Sequence, residues 1–165
     1  MKRIIVIGCP GSGKSTFARA LQRKLNIPLQ HLDMIYWRAD GSFISKEELK
    51  DRLLEIMAND EWIIDGNYGS TIELRLRACD TVVFLDYPLQ VCLDGIRRRK
   101  GKPRSDMPWT EKEGEEDLEF IEFIKNYNAE SRPAVMQLLE KYKDKDISIF
   151  SCRDEADEFL KKINR

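Results

Sequence analysis

Eight residues near the start of the chain, Gly8-Cys9-Pro10-Gly11-Ser12-Gly13-Lys14-Ser15, limit what it can fold into more than any other feature. The glycines leave an unhindered backbone whose N–H groups can all turn toward one concave surface. The run before them, Ile4-Ile5-Val6-Ile7, is continuous and β-branched, as in a strand covered on both faces. After them Phe17, Ala18, Leu21 and Leu25 recur at helical spacing, and Asn26 and Pro28 stop the helix. A buried strand, a glycine turn and the positive end of an amphipathic helix together make an anion site suited to phosphate.

The remaining periodicity repeats that alternation. Trp62-Ile63-Ile64 before Asp65-Gly66 and Thr81-Val82-Val83-Phe84-Leu85 before Asp86-Tyr87-Pro88 read as buried strands, each ending in an acid. Pro28 to Leu32, before Asp33, is a weaker strand, and Ile147-Ser148-Ile149-Phe150 a late one. Helical patterns fall at about 45–58, 70–77, 88–100, 116–143 and 153–163. The expected fold is α/β, a three-layer P-loop NTPase architecture with a five-stranded parallel sheet, right-handed crossovers and a mobile lid. At 165 residues the chain suits one domain, 1–165.

The Gly-x-x-x-x-Gly-Lys-Ser spacing assigns Gly8, Pro10, Gly11, Ser12, Gly13, Lys14, Ser15 and Thr16 to a nucleoside triphosphate, with ATP as cofactor. Lys14 would reach the β- and γ-phosphates and Ser15 would ligate Mg²⁺. Mg²⁺ takes one or two carboxylates, for which Asp65, Asp86 and Asp33 compete; Asp65, ahead of Gly66, ranks first. Asp86 equally suits a helix cap. Asp33 suits the orientation or deprotonation of an acceptor hydroxyl, or a turn. Arg97, Arg98, Arg99 and the isolated Arg132 before Pro133 are the candidates to neutralise charge on a transferring phosphoryl group. Segment 97–104 holds six basic residues broken by Gly101 and Pro103, and reads as a basic loop held open by self-repulsion until an anion arrives. Glu115, Glu116, Asp117 and Glu119 suit the start of the next helix. Trp37 and Tyr68 suit either core packing or stacking on an acceptor base.

Other features narrow the classes. The formal net charge of −1 draws the chain to no polyanion, and nucleic acid is not expected as a partner. Four scattered cysteines form no zinc pattern, and His31, the single histidine, is taken as structural. No stretch of eighteen apolar residues and no leader-like segment is present, so a soluble, cytoplasmic protein without a membrane partner is expected.

Taken together, the Gly8–Ser15 loop, His31-Leu32-Asp33 with Trp37, Trp62 through Tyr68, Asp86-Tyr87-Pro88, the arginines at 97–99 and Tyr127 to Pro133 resemble the adenylate-kinase-related small kinases. The nearest branch is the FlaR-type, also called DNA topology modulation proteins. The resemblance implies an acceptor-binding part near 32–68, a lid near 97–112 and, by position alone, Arg153 near the adenine. It also implies a departure. Adenylate kinases follow their third strand with Asp-Gly-Phe-Pro-Arg, whose arginine holds the acceptor phosphate, whereas this chain continues Asp65-Gly66-Asn67-Tyr68-Gly69. Arg75 or Arg77 would have to substitute, or the acceptor carries no phosphate, as in nucleoside and shikimate kinases. The function implied is transfer of the γ-phosphoryl of ATP to a small nucleotide or nucleoside-like acceptor. The alternatives are direct action on DNA through 97–104 and a nucleotide-gated interaction protein.

Overall fold

The computed structural model describes residues 1–111 and 117–163. Lys112, the last residue of the expected lid, and Glu115 and Glu116 lie outside the described residues. The chain runs β1 (Arg3–Gly8), α1 (Lys14–Leu25), β2 (Leu29–His31), α2 (Leu32–Tyr36), α3 (Lys46–Met57), β3 (Trp62–Asp65), α4 (Gly69–Ala78), β4 (Thr81–Leu85), α5 (Leu89–Arg99), α6 (Leu118–Glu130), α7 (Arg132–Lys141), β5 (Asp146–Phe150) and α8 (Arg153–Lys162). The five strands form one sheet in the order β2-β3-β1-β4-β5, every pairing parallel. This is the expected three-layer α/β fold.

β1 occupies the middle of the sheet, and its alternation builds both layers. Ile4 and Val6 face a core shared with Phe17 and Leu21 of α1, Ile96 of α5, Tyr127 of α6 and Leu160 of α8. Ile5 and Ile7 face the other, with Leu49 and Leu53 of α3, Leu76 of α4 and Leu139 of α7. A strand covered on both sides needs apolar residues at consecutive positions, which is why β1, β3 and β4 read as unbroken runs. β5 is an edge strand and correspondingly wetter, with Ile149 42% exposed.

Three local expectations are corrected. The single helix expected over 116–143 is two, α6 and α7, hinged at Ser131; Pro133 fits in the first turn of α7, where a missing N–H costs nothing. A short helix, α2, follows directly on β2, because Asp33 to Tyr36 fold back over the sheet end instead of continuing the strand. The basic segment is not one loop, since Arg97, Arg98 and Arg99 form the last turn of α5.

The glycine turn is held by α5 from below. A Cβ added at Gly11, where φ is 84°, would lie 2.0 Å from the carbonyl oxygen of Cys92, and one added at Gly95 would lie 2.0 Å from that of Gly11. Backbone touches backbone, and only hydrogen fits between. Alanine at 95 should gain about 1 kcal/mol of helix propensity and lose roughly 1–3 kcal/mol to the forced displacement. We expect Gly95→Ala to lower the urea midpoint despite its favourable propensity; an unchanged or raised midpoint would show that α5 does not rest on the loop.

Candidate active site

The register brings the chemistry to one end of the sheet. His31 of β2 and Val6 of β1 both pair with Asp65 of β3, so the strand ends carrying His31, Asp65 and the glycine loop lie side by side. They open on a cleft of about 650 Å³. Such a crevice beyond the carboxyl ends of parallel strands is where open α/β sheets bind ligands.

The donor side of the cleft is built by the loop. Pro10, Gly11, Gly13, Lys14, Ser15 and Thr16 line it, while Gly8 and Ser12 lie beneath and fix its shape. Asn67 clamps the turn from β3, accepting from the Gly8 N–H at 3.1 Å and donating to the Gly8 carbonyl at 2.6 Å. Gly13 caps α1 in the left-handed region with no side chain on the first N–H groups, which are thus left for a ligand. The Lys14 ammonium, half-buried, donates to the Cys9 carbonyl at 3.2 Å. Burial lowers its pKa, and the nearby carboxylates of Asp65 and Asp33 oppose the shift. Arg153 of α8 also lines the cleft, with its Nη1 3.3 Å from where a Gly13 Cβ would sit.

Asp65, only 2% exposed, accepts from Ser15 Oγ at 2.6 Å and from His31 Nδ1 at 2.6 Å. A hydroxyl and a carboxylate oxygen in contact at the first turn of α1 are hard oxygen donors of the kind Mg²⁺ takes in one or two positions. The buried Ser12 Oγ and Arg99 Nε have no partner among the described residues, and the free N–H groups of α1 are likewise open. These residues fit Mg²⁺ with a triphosphate: Ser15 and Asp65 toward the metal, Lys14 and the loop toward the phosphates.

Across the cleft, Tyr68 donates its hydroxyl to Asp33 Oδ1 at 2.6 Å. Burial raises the Asp33 pKa, partly offset by this bond and by Lys14. Tyr68 takes a left-handed conformation, φ 42°, at the start of α4, and its ring packs on Tyr36, 4.9 Å between centroids. Trp37 lines the cleft and meets Tyr36, Phe43 and Trp109 edge to face or nearly so.

The arginines divide. Arg98 and Arg99 line the cleft. Arg97 does not; it is exposed and pairs with Asp94 at 3.4 Å. Arg132 is corrected too, since it grips Asp86 with Nε at 2.8 Å and Nη2 at 2.7 Å, and neither lines the cleft. That fork also withdraws Asp86 from the candidates for the metal. The expectation that 97–104 is self-repelling fails on its partners. Arg99 pairs with Glu111 at 2.9 Å, and Arg104 pairs with Asp106 at 2.6 Å and Glu111 at 3.0 Å. Burial alone would lower the Arg104 pKa, and these carboxylates more than reverse it. Asp106, buried, is held well below the usual carboxylate range, its desolvation outweighed by Arg104.

Several cleft residues escaped the sequence reading. Arg19, one helical turn past Ser15, lines the cleft and donates to Ser105 and Thr16 at 3.3 Å; helical spacing alone was enough to find it. His31, taken as structural, holds the site carboxylate. Asn67 had no local signal, because its partner Gly8 lies 59 residues away, and Arg104 was marked only as one of the six basic residues of 97–104.

A family model described as AAA domain matches residues 4–121. Shikimate kinases of Sulfurihydrogenibium sp. (strain YO3AOP1) and Aquifex aeolicus (strain VF5) are 27% and 28% identical, each match covering 66% of this chain and 74% of the relative. Among solved structures, Acinetobacter baumannii shikimate kinase in complex with shikimate superposes with a TM-score of 0.65 at 17% identity, over 99% of this chain and 90% of that one. The Bacteroides thetaiotaomicron shikimate kinase does so with 0.59 at 22% identity, over 98% and 95%. With a phosphate loop on a β2-β3-β1-β4-β5 sheet, the chain belongs to the AAA domain family and has the fold of the small P-loop kinases.

Proposed function

We propose that this chain is an ATP-dependent, Mg²⁺-dependent phosphotransferase of the cytoplasm that acts on a hydroxyl of a small nucleotide or nucleoside-like acceptor. Within the small kinases we place it in the FlaR-type branch, on the His31-Leu32-Asp33 and Trp62–Tyr68 segments. We also read residues 1–165 as one kinase-like domain, with the acceptor part near 32–68 and the lid near 97–112. The observation that carries the reading is one cleft with two chemically different sides. Lys14, Ser15 and the loop form one, and Asp33 with Trp37 and Tyr68 forms the other. The relatives are shikimate kinases by name, which supports a kinase with a small-molecule acceptor.

Mg²⁺, when bound, neutralises charge on the phosphates and orients them. The chain's own residues supply the rest. The glycine loop and the first N–H groups of α1 hold the phosphates, and Lys14 exchanges its bond to the Cys9 carbonyl for them. His31 keeps the Asp65 carboxylate turned toward Ser15. Tyr68 keeps Asp33 in place, and Asp33 accepts the proton of the attacking hydroxyl. Arg98, Arg99 and Arg153 face the donor with positive charge that offsets the negative charge on the transferring oxygens.

Direct action on DNA finds no support in this arrangement, because Arg99 and Arg104 already pair with Asp106 and Glu111. The test of the proposal is ADP release with Mg²⁺ and ATP across a panel of hydroxylic acceptors. Failure of every acceptor to raise release above the solvent background would refute it.

Two predictions separate the sides of the cleft. Folding is opposed while Lys14 is charged, because its folded-state pKa lies below the unfolded value of 10.5. Lys14→Met should therefore abolish turnover yet raise the melting temperature of the free protein at neutral pH, by a margin that shrinks as pH climbs toward 10.5. A lower melting temperature would make Lys14 a structural residue.

Asp33→Asn should lower kcat by about 10²–10⁴-fold. Asp33 must be ionised to accept the proton, so activity is lost as pH falls through its raised pKa. Tyr68→Phe removes an interaction that lowers that pKa and should shift the acid limb of kcat/KM to higher pH. An acid limb that stays in place would separate Tyr68 from the proton transfer.

A further inference from the structure

The acceptor side carries a charge pattern that narrows the acceptor further, granted the kinase reading above. The cleft-lining residues of the segment 32–68 are Asp33, Trp37, Asp65, Gly66, Asn67 and Tyr68, with no lysine or arginine; Asp65 is turned to Ser15, which leaves Asp33 as the carboxylate of the acceptor side. Arginines approach this wall from two directions, and each is already committed.

From below comes Arg75 of α4, fully buried. It donates Nη1 to the Gly66 carbonyl at 2.9 Å, Nη2 to the Asn67 carbonyl and Nε to the Thr71 carbonyl at 3.3 Å. All three arms of the guanidinium support the backbone that forms the cleft floor, and burial pulls its pKa down to about 10. Its neighbour Arg77 is turned outward to Glu73 and to Tyr142. From above comes Arg104 of the lid, whose Nε and Nη2 bind Asp106 and whose Nη1 binds Glu111. Arg98, Lys102 and Arg153, the exposed cations of the cleft without a carboxylate partner among the described residues, sit on α5, the lid and α8, outside the 32–68 segment.

An anionic group on the acceptor would thus face Asp33 with no lysine or arginine of the 32–68 segment lining the cleft to receive it, and like charges at close range discriminate strongly. A hydroxyl meets a different surface: Asp33 accepts from it, Tyr68 holds Asp33, and the aromatic Trp37 lines the same wall. We propose that the acceptor is a ring-bearing alcohol without phosphate or carboxylate, a nucleoside rather than a nucleotide, selected by exclusion of anions as much as by attraction.

The experiment compares ADP release with Mg²⁺ and ATP for nucleosides, their 5′-monophosphates and shikimate, a carboxylate-bearing alcohol. At least one nucleoside should exceed its own monophosphate and shikimate by tenfold or more in kcat/KM. A monophosphate or shikimate as the best acceptor overturns this inference and leaves the kinase reading standing. Silence of every compound while ATP still binds overturns the kinase reading and this one with it. A second measurement isolates the charge. In calorimetry with a non-hydrolysable ATP analogue, Asp33→Asn should tighten monophosphate binding at least threefold relative to the nucleoside, although it impairs turnover. An unchanged ratio in that variant means Asp33 excludes nothing, and the inference fails.

Discussion

The buried carboxylate of Asp65 is the interaction on which the site depends. At 2% exposure a carboxylate is costly unless its oxygens are satisfied, and here one oxygen accepts from Ser15 and the other from His31. Each partner belongs to a different element, so a single charge ties α1 and β2 to β3. Parallel pairing makes this feasible, because adjacent strands run in the same direction and place their C-terminal residues at the same edge. The same edge carries the glycine loop, and Asn67, two residues beyond Asp65, returns to bind both polar groups of Gly8. Loop, metal-type oxygens and acceptor wall are consequently positioned by backbone register rather than by long flexible side chains.

A second coupling runs through backbone contact. Gly11 and Gly95 meet with no room for a methyl group, and four residues beyond Gly95 stands Arg99, followed by the lid. The helix that supports the phosphate loop also carries the arginines that face it. The loop and the last turns of α5 are therefore joined through close-packed atoms.

What the sequence revealed and what it hid follow from one distinction. Strands such as Thr81–Leu85 and helices such as Lys14–Leu25 were legible because burial imposes a period on the residues themselves. The glycine loop was legible because its conformations, φ 84° at Gly11 and 94° at Gly13, restrict residue type. Charge partners were not. Arg132 looked isolated, yet its carboxylate stands 46 residues earlier in Asp86, and nothing local to either residue announces the pair. The conformation of Tyr68 was equally hidden, since a non-glycine residue at φ 42° is held there by its ring against Tyr36 and its hydroxyl on Asp33, contacts that only the fold creates.

The segment 97–111 shows why composition misleads about electrostatics. Six basic residues in eight positions suggest a repelling cluster, but repulsion is set by neighbours in space, and the chain returns Asp106 and Glu111 to the same point. Arg104 is only 12% exposed at its side chain, so its pairs are screened far less by solvent than a surface pair would be. Among the described residues the exposed cleft cations without a carboxylate partner are Arg98 at the end of α5, Lys102 in the following segment and Arg153 at the start of α8. The result is a cleft with cations around the glycine loop and the Asp33 carboxylate on the opposite wall. Such a division gives a triphosphate one favourable orientation, with its charge toward α1 and away from Asp33.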